Sequence, residues 1–141
     1  MDKFKIYEQM LIETNKKFNL TSIDDPKEIR IKHFEDSLTI KSYINKGMKV
    51  LDIGSGAGFP GIPLRIEKDF DLTLIDSVNK KVNFMNEVIE KLNLENAKVI
   101  HVRAEDYAKD HREEFDMVIS RAVANLSTLS EYALPFLKVG G

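Results

Sequence analysis

The spacing of apolar residues changes character near residue 47. Before that point, apolar residues recur at helical spacing. The first predicted helix covers residues 3–18, with its apolar stripe at Phe4, Tyr7, Leu11, Thr14 and Phe18. A second helix is predicted from Asp25, a capping residue followed by Pro26, to about Ile44.

From Met48 onward, short apolar runs alternate with amphipathic stretches. The predicted strands are Lys49–Ile53, Leu72–Asp76, Lys98–Val102 and Phe115–Ser120. The predicted helices cover residues 61–67, 79–92, 105–112 and 126–136. Strands that alternate with helices predict an α/β fold with a parallel sheet. We therefore divide the chain into a helical segment, residues 1–46, and a Rossmann-like domain, residues 47–141.

A glycine-rich segment, residues 54–61, follows the first predicted strand directly. It contains Gly54, Gly56, Gly58 and Gly61, with Ser55 between the first two. Glycine allows a tight turn and keeps the backbone bare, so that a ligand can lie against it. Open α/β sheets bind ligands at the carboxyl ends of their strands. We expect this glycine segment to bind a nucleoside-containing cofactor.

Two cofactors fit the glycine segment. The run from Gly56 to Gly61 matches the dinucleotide pattern, and Asp76 follows about twenty residues after its first glycine, as NAD-binding proteins require. S-adenosylmethionine is the other candidate. The carboxylate of Asp52 favours it, because an acid there would repel a pyrophosphate and attract the ammonium group of a methionine moiety. Asp76, with Ser77 after it, suits the ribose of either cofactor, so an NAD-dependent oxidoreductase remains the alternative function.

Composition narrows the range of functions. The 141 residues are 43% apolar and 31% charged, as in a soluble globular protein. The absence of cysteine excludes disulfides and thiolate sites, and no spacing of histidines and acids suggests a metal. No signal peptide or membrane-length run is found, so we expect a cytoplasmic protein without a membrane partner. A net charge of −2 offers little attraction for nucleic acid.

The carboxyl-terminal residues 137–141 form a turn that would normally lead into another strand. Without that strand, the far edge of the fourth strand would be unpaired, which is unfavourable for an apolar edge. We expect the chain to be a fragment of a longer protein, or to have this edge covered by a partner.

Five stretches together resemble one family, the bacterial 16S ribosomal RNA guanine-N7 methyltransferases, also called glucose-inhibited division protein B. They are Asn15–Thr21, His33–Leu38, Leu51–Leu64, Val102–Glu105 and Ser120–Ala124. Pro60 and the tail Gly61–Leu64 distinguish the third stretch from generic methyltransferase loops. The resemblance covers nearly the whole chain and is specific in its combination of motifs.

The resemblance implies a class I S-adenosylmethionine-dependent fold with an amino-terminal helical cap. It implies methyl transfer to N7 of a guanine in 16S ribosomal RNA, presented as RNA or as the small ribosomal subunit. Family members extend further at both ends, so the resemblance implies a truncated chain, which we expect to bind cofactor but to methylate RNA poorly. A cofactor-binding fragment without activity of its own is the remaining alternative.

The resemblance also assigns cofactor contacts residue by residue. Gly54 and Phe59 would contact the cofactor, Ala104 and Glu105 would hold the adenine region, and Arg121 would be the cofactor-contacting arginine. With the residues argued above, the predicted cofactor-binding set is Asp52, Gly54, Ser55, Gly56, Gly58, Phe59, Asp76, Ser77, Ala104, Glu105 and Arg121. Phe59 is expected to project from the glycine segment.

Guanine N7 carries an available lone pair, so the reaction needs positioning rather than a general base. Arg121 is one positioning candidate, because a guanidinium suits a carboxylate, a phosphate or guanine O6. His33 and Asp36 are the others. Their spacing places them on one helix face with Ser37, which is as compatible with a solvated cluster as with an entrance for the target base.

Overall fold

A parallel sheet forms the centre of the molecule. Its strands are β1 Lys49–Ile53, β2 Asp71–Asp76, β3 Ala97–His101 and β4 Met117–Ile119. In the computed structural model, which describes residues 2–17, 35–54, 56–120 and 134–137, they lie in the order β3-β2-β1-β4. All three pairings are parallel, so the carboxyl ends of the strands meet at one edge of the sheet. The predicted parallel α/β sheet is confirmed.

Five helices accompany this sheet in the described ranges. They are α1 Lys3–Asn15, α2 Asp36–Leu38, α3 Gly61–Glu67, α4 Asn79–Lys91 and α5 Ala104–Ala108, and 3-10 turns cover Lys41–Tyr43 and Leu134–Phe136. Helix α1 begins after Asp2, whose carboxylate accepts a hydrogen bond from the Phe4 N–H at 2.9 Å. The first predicted helix is confirmed over these residues.

The strands are apolar on both faces, as expected for a sheet covered on both sides. Along β1, Val50 faces one core cluster and Leu51 faces another. The first cluster includes side chains from α1, the glycine segment, α3 and α4. The second includes Tyr107 of α5 and Phe136. Helix α1 therefore packs in the same core cluster as the strands, α3 and α4. The predicted domain boundary at residue 46 stays a prediction.

In its described part, the second predicted helix is confirmed only over Asp36–Leu38, and its predicted end near Ile44 is wrong. Residues 25–34 lie outside the described residues, and from Asp36 onward the helix ends at Leu38. Ile44 has an extended backbone, is fully buried, and accepts a hydrogen bond through its carbonyl from the Lys68 ammonium at 2.6 Å. The burial of Ile44 outweighs the local helical pattern.

Two predicted elements near the end of the chain are shorter than expected, and most of the last predicted helix lies outside the described residues. Helix α5 stops at Ala108 rather than 112, and β4 begins at Met117. Just before β4, the first residue of the predicted fourth strand has a partner on its far edge, whereas the expectation of an uncovered edge beside β4 itself is not tested. Phe115 bridges to Leu137 in parallel, and its N–H donates to the Phe136 carbonyl at 2.9 Å.

Candidate functional site

The glycine segment lies at the carboxyl edge of the sheet, between β1 and α3. Ile53 at the end of β1 is in register with Ile75 of β2, and the Gly54 N–H donates to the Ile75 carbonyl at 2.9 Å. The segment therefore starts directly beside Asp76, the last residue of β2. Two separate stretches of sequence thus form one site, as a parallel sheet requires.

The glycines of this segment differ in the space that surrounds them. Gly54, Gly56 and Gly58 have φ angles of 65°, 61° and 101°, which favour glycine. A Cβ on Gly56 would meet nothing within 4 Å, whereas a Cβ on Gly58 would lie 2.5 Å from Ile62 Cδ1. On Gly61 it would lie 2.7 Å from Asp52 Oδ2. Protein atoms therefore fill the space beside Gly58 and Gly61, and the cofactor contact predicted for Gly58 stays a prediction.

Asp52 is fully buried at the end of β1. Its Oδ2 accepts a hydrogen bond at 2.9 Å from the N–H of Gly61, the first residue of α3. This bond fixes the helix start against the sheet, and a carboxylate is favourable at a helix amino terminus. Because the side chain has no exposed surface, any attraction for an ammonium group acts at a distance in this conformation, and the role predicted for Asp52 in cofactor binding stays a prediction.

Asp76 bridges the glycine segment and the start of α4. Its Oδ2 accepts from the Gly56 N–H at 2.9 Å, and its Oδ1 accepts from the Val78 N–H at 2.8 Å. The residue is 7% exposed. Each carboxylate oxygen has a second lone pair, so these bonds leave capacity for a ligand. The geometry is compatible with the predicted ribose contact and also gives Asp76 a structural role.

Phe59 does not project from the glycine segment, and that expectation is wrong. Its side chain is 6% exposed and belongs to the first core cluster. The ring stacks on Tyr7 of α1, with 5.5 Å between ring centroids and 20° between ring planes. An apolar ring is stabilised by burial, and Tyr7 provides the surface for it. A cofactor contact by Phe59 would therefore involve its backbone.

The other predicted cofactor residues that the structure describes lie at the same edge of the sheet. Ser77 is exposed directly after β2, and Ala104 and the exposed Glu105 open α5 after β3. The Ser120 hydroxyl, just after β4, donates to the Ile53 carbonyl at 2.9 Å. This bond ties the ends of β1 and β4 together.

Several predicted residues cannot be located in this way. Ser55, His33 and Arg121 lie outside the described residues, as does the side chain of Asp36. Ser37, which would share a face with His33 and Asp36, is 1% exposed. Its burial places it in the interior rather than at an entrance for a base.

Tyr7 is a residue of this site that the sequence analysis did not identify. It lies on α1, 50 residues from Ala57, yet its hydroxyl donates to the Ala57 carbonyl inside the glycine segment. The only signal in the sequence was its place on the apolar stripe of the first helix, which predicts burial and no specific partner.

Tyr107 lies against the opposite face of the sheet and differs from Tyr7 in its contacts. It packs against Phe136 in the second cluster, and its hydroxyl is buried without a hydrogen-bond partner among the described residues. Burial, with a smaller contribution from the negative charge of Glu114, raises the pKa of Tyr107 to about 12. This tyrosine has no contact of the kind that Tyr7 makes with the glycine segment.

The described ranges contain neither a metal-binding group of side chains nor a membrane-spanning helix. No group of three or more histidines and acids there is arranged to hold a metal ion. None of the helices in the part of the chain that the structure describes is both long and apolar enough to cross a membrane.

Comparison with solved structures identifies the fold. An S-adenosylmethionine-dependent methyltransferase from Thiobacillus denitrificans, in complex with S-adenosyl-L-homocysteine, matches with a TM-score of 0.65 and 21% identity, over 86% of this chain and 54% of that one. M. jannaschii TYW2 in complex with AdoMet matches with a TM-score of 0.64 and 21% identity, over 75% of this chain and 48% of that one. These likenesses establish a Rossmann-like class I methyltransferase fold.

Comparison with curated proteins gives the family. Ribosomal RNA small subunit methyltransferase G from Desulforamulus reducens is 55% identical over 143 residues, and the protein of that name from Oenococcus oeni is 51% identical over 144 residues. Each match covers 98% of this chain and 60% of the relative, so the chain spans about 60% of the length of these relatives. The family model GidB, rRNA small subunit methyltransferase G, matches residues 1–141. The chain belongs to the GidB family.

Proposed function

We propose that the protein to which this chain belongs transfers a methyl group from S-adenosylmethionine to N7 of a guanine in 16S ribosomal RNA. The proposal is supported by the family, by the names of the relatives, and by the form of the glycine segment. A ribosomal RNA substrate, naked or in the small subunit, would place the protein in the cytoplasm. The relatives whose names support this activity are longer, since the chain spans about 60% of their length, and its described residues bear on the cofactor side of the reaction.

The observation that carries the choice of cofactor is the hydrogen bond between Asp52 and Gly61. In dinucleotide-binding proteins, the helix that follows the glycine-rich turn begins with N–H groups that face the pyrophosphate. Here the Gly61 N–H donates instead to a buried carboxylate oxygen at 2.9 Å. A pyrophosphate would have to approach a negative charge that already lies at the helix start, which is unfavourable. A cofactor with an ammonium group meets no such repulsion.

The described residues fit S-adenosylmethionine. Gly54 is exposed and the space beside Gly56 is open, so the backbone there can lie against a ligand. Asp76 would accept from the ribose hydroxyls, and Glu105 would accept from the adenine amine. When bound, this cofactor supplies a methyl group already activated on a sulfonium. The roles of Ser55 and Arg121 in holding it remain predictions.

The protein's own contribution to the reaction is orientation. A guanine N7 lone pair needs no proton removed, so rate depends on how well base and cofactor are aligned. The hydrogen bonds that join the glycine segment to Asp52 of β1 and Asp76 of β2 serve that alignment on the cofactor side. His33, Asp36 and Arg121 are proposed for the guanine side.

Binding and activity test this proposal separately. Calorimetric titration of this chain with S-adenosylhomocysteine should give saturable binding, and NADH should give none. A version extended beyond Gly141 to the length of the relatives should methylate small ribosomal subunits or their RNA and yield N7-methylguanine. Binding of NADH alone would contradict the cofactor, and methylation of an amine or a ribose would contradict the reaction.

A further inference from the structure

Besides the backbone bond from Gly54 to Ile75, three side chains of the described residues hold the glycine segment through hydrogen bonds. Two are carboxylates of the sheet: Asp76 accepts from Gly56, and Asp52 accepts from Gly61, each at 2.9 Å. The third comes from outside the sheet, where the Tyr7 hydroxyl of α1 donates to the Ala57 carbonyl. Ala57 lies between the other two attachment points, so Tyr7 acts on the middle of the segment.

Both partners in the contact between Tyr7 and the glycine segment are closely packed. Tyr7 is fully buried, its ring stacks on Phe59, and it makes a tilted contact with Phe84 of α4 at 6.5 Å between centroids. A Cβ on Gly58 would lie 2.6 Å from the Tyr7 hydroxyl oxygen. Only glycine lets the segment and Tyr7 come this close, so sequence features on both partners serve the contact.

The contact also lies behind the surface proposed for the cofactor. Gly54 is exposed and Gly56 opens onto free space, whereas Ala57 and Gly58 are buried against Tyr7. Three glycines at positive φ make this segment easily deformed when a restraint is removed. A restraint on the buried middle therefore determines how the open backbone beside it is presented.

We propose that Tyr7 is a positioning residue for the cofactor segment, and that helix α1 is thereby part of the cofactor site. The identity of the ligand rests on the proposed function; the restraint on the segment does not. Tyr7 acts through the Ala57 carbonyl and touches no reacting group. Without the hydroxyl, that carbonyl is buried without its partner and the segment relaxes away from the conformation that the ligand requires.

The test compares Tyr7→Phe with Tyr107→Phe. Each variant keeps a buried aromatic ring and removes one hydroxyl. The Tyr107 hydroxyl, however, has no partner in the part of the chain that the structure describes, and it lies in the second cluster, against the other face of the sheet. We expect Tyr7→Phe to weaken the affinity for S-adenosylhomocysteine by about fivefold. Tyr107→Phe should bind as the unaltered chain does.

Amide hydrogen exchange in the ligand-free chain supplies a readout that general destabilisation would not reproduce. In Tyr7→Phe, the amides of Gly56 and Gly61 should exchange faster while that of Leu74, inside β2, keeps its rate. Equal acceleration at Leu74, or unchanged exchange in the glycine segment, would overturn the role of Tyr7. If the unaltered chain fails to bind S-adenosylhomocysteine, the proposed cofactor is contradicted, and the exchange comparison alone decides whether Tyr7 positions the segment.

Discussion

The two halves of the glycine segment look alike in sequence and differ in what surrounds them. The outer half, Gly54 and Gly56, is exposed or opens onto free space. The inner half, Gly58 and Gly61, is buried against Ile62, Tyr7 and the Asp52 carboxylate. A glycine-rich pattern therefore combines two requirements, a surface for a ligand and close packing behind it. Substitutions in the two halves should consequently fail in different ways.

The largest effect is expected at the inner half. In Gly58→Ala, the added methyl group would meet Ile62 and Tyr7 in a backbone conformation with φ of 101°, which alanine rarely adopts. Overpacking and backbone strain together should lower the free energy of unfolding by about 3 kcal/mol. Urea denaturation of the variant and the unaltered chain measures this. A loss below about 1 kcal/mol would mean that the inner half is not closely packed.

The second largest effect is expected in the affinity for the cofactor when Asp76 is replaced. Asp76→Ala removes the acceptor for the Gly56 N–H and the proposed acceptor for the ribose, so the affinity for S-adenosylhomocysteine should fall by about tenfold or more. Calorimetric titration is the measurement. Asp71→Ala, at the opposite end of the same strand, is the matched control and should bind normally. A change of less than about twofold in Asp76→Ala would count against the ribose contact.

The smallest effect concerns the opposite face of the sheet, which provides a baseline for changes unrelated to the glycine segment. The pKa of Tyr107 is raised from 10.0 to about 12, so the unfolded chain loses this proton first as pH rises. The contribution of Tyr107 to stability is therefore complete below pH 10 and declines between pH 10 and 12. Urea denaturation across this range should show a shallower decline in Tyr107→Phe than in the unaltered chain. Identical pH profiles would contradict the raised pKa.

The elements that carry the site could be predicted from the sequence. Strand β1 and helix α3 have the predicted bounds, because Val50 and Leu51 must be buried on opposite faces of the sheet and the glycines end the strand. The placement of Asp76 beside the glycine segment also followed, since neighbouring parallel strands end at the same edge.

The internal contacts of the segment could not be predicted. Nothing local to Phe59 determines that its ring turns inward, because the direction depends on Tyr7, which approaches from a distant helix. The same holds for Asp52: its position at the end of a strand indicates a ligand, whereas its neighbour in space is the Gly61 N–H. Long-range packing decides between a carboxylate that meets the ligand and one that holds the backbone.

The division of the glycine segment is tested most directly by comparing Gly56→Ala with Gly47→Ala. Both glycines have positive φ, 61° and 83°, and a Cβ on either meets nothing within 4 Å. Both variants should therefore lose a similar amount of stability, about 1 kcal/mol. Gly47 precedes β1, at the end of the sheet away from the proposed cofactor site. Calorimetric titration with S-adenosylhomocysteine should show an affinity about tenfold weaker in Gly56→Ala and unchanged in Gly47→Ala. Equal affinities in the two variants would contradict the claim that the outer half is the surface on which the cofactor lies.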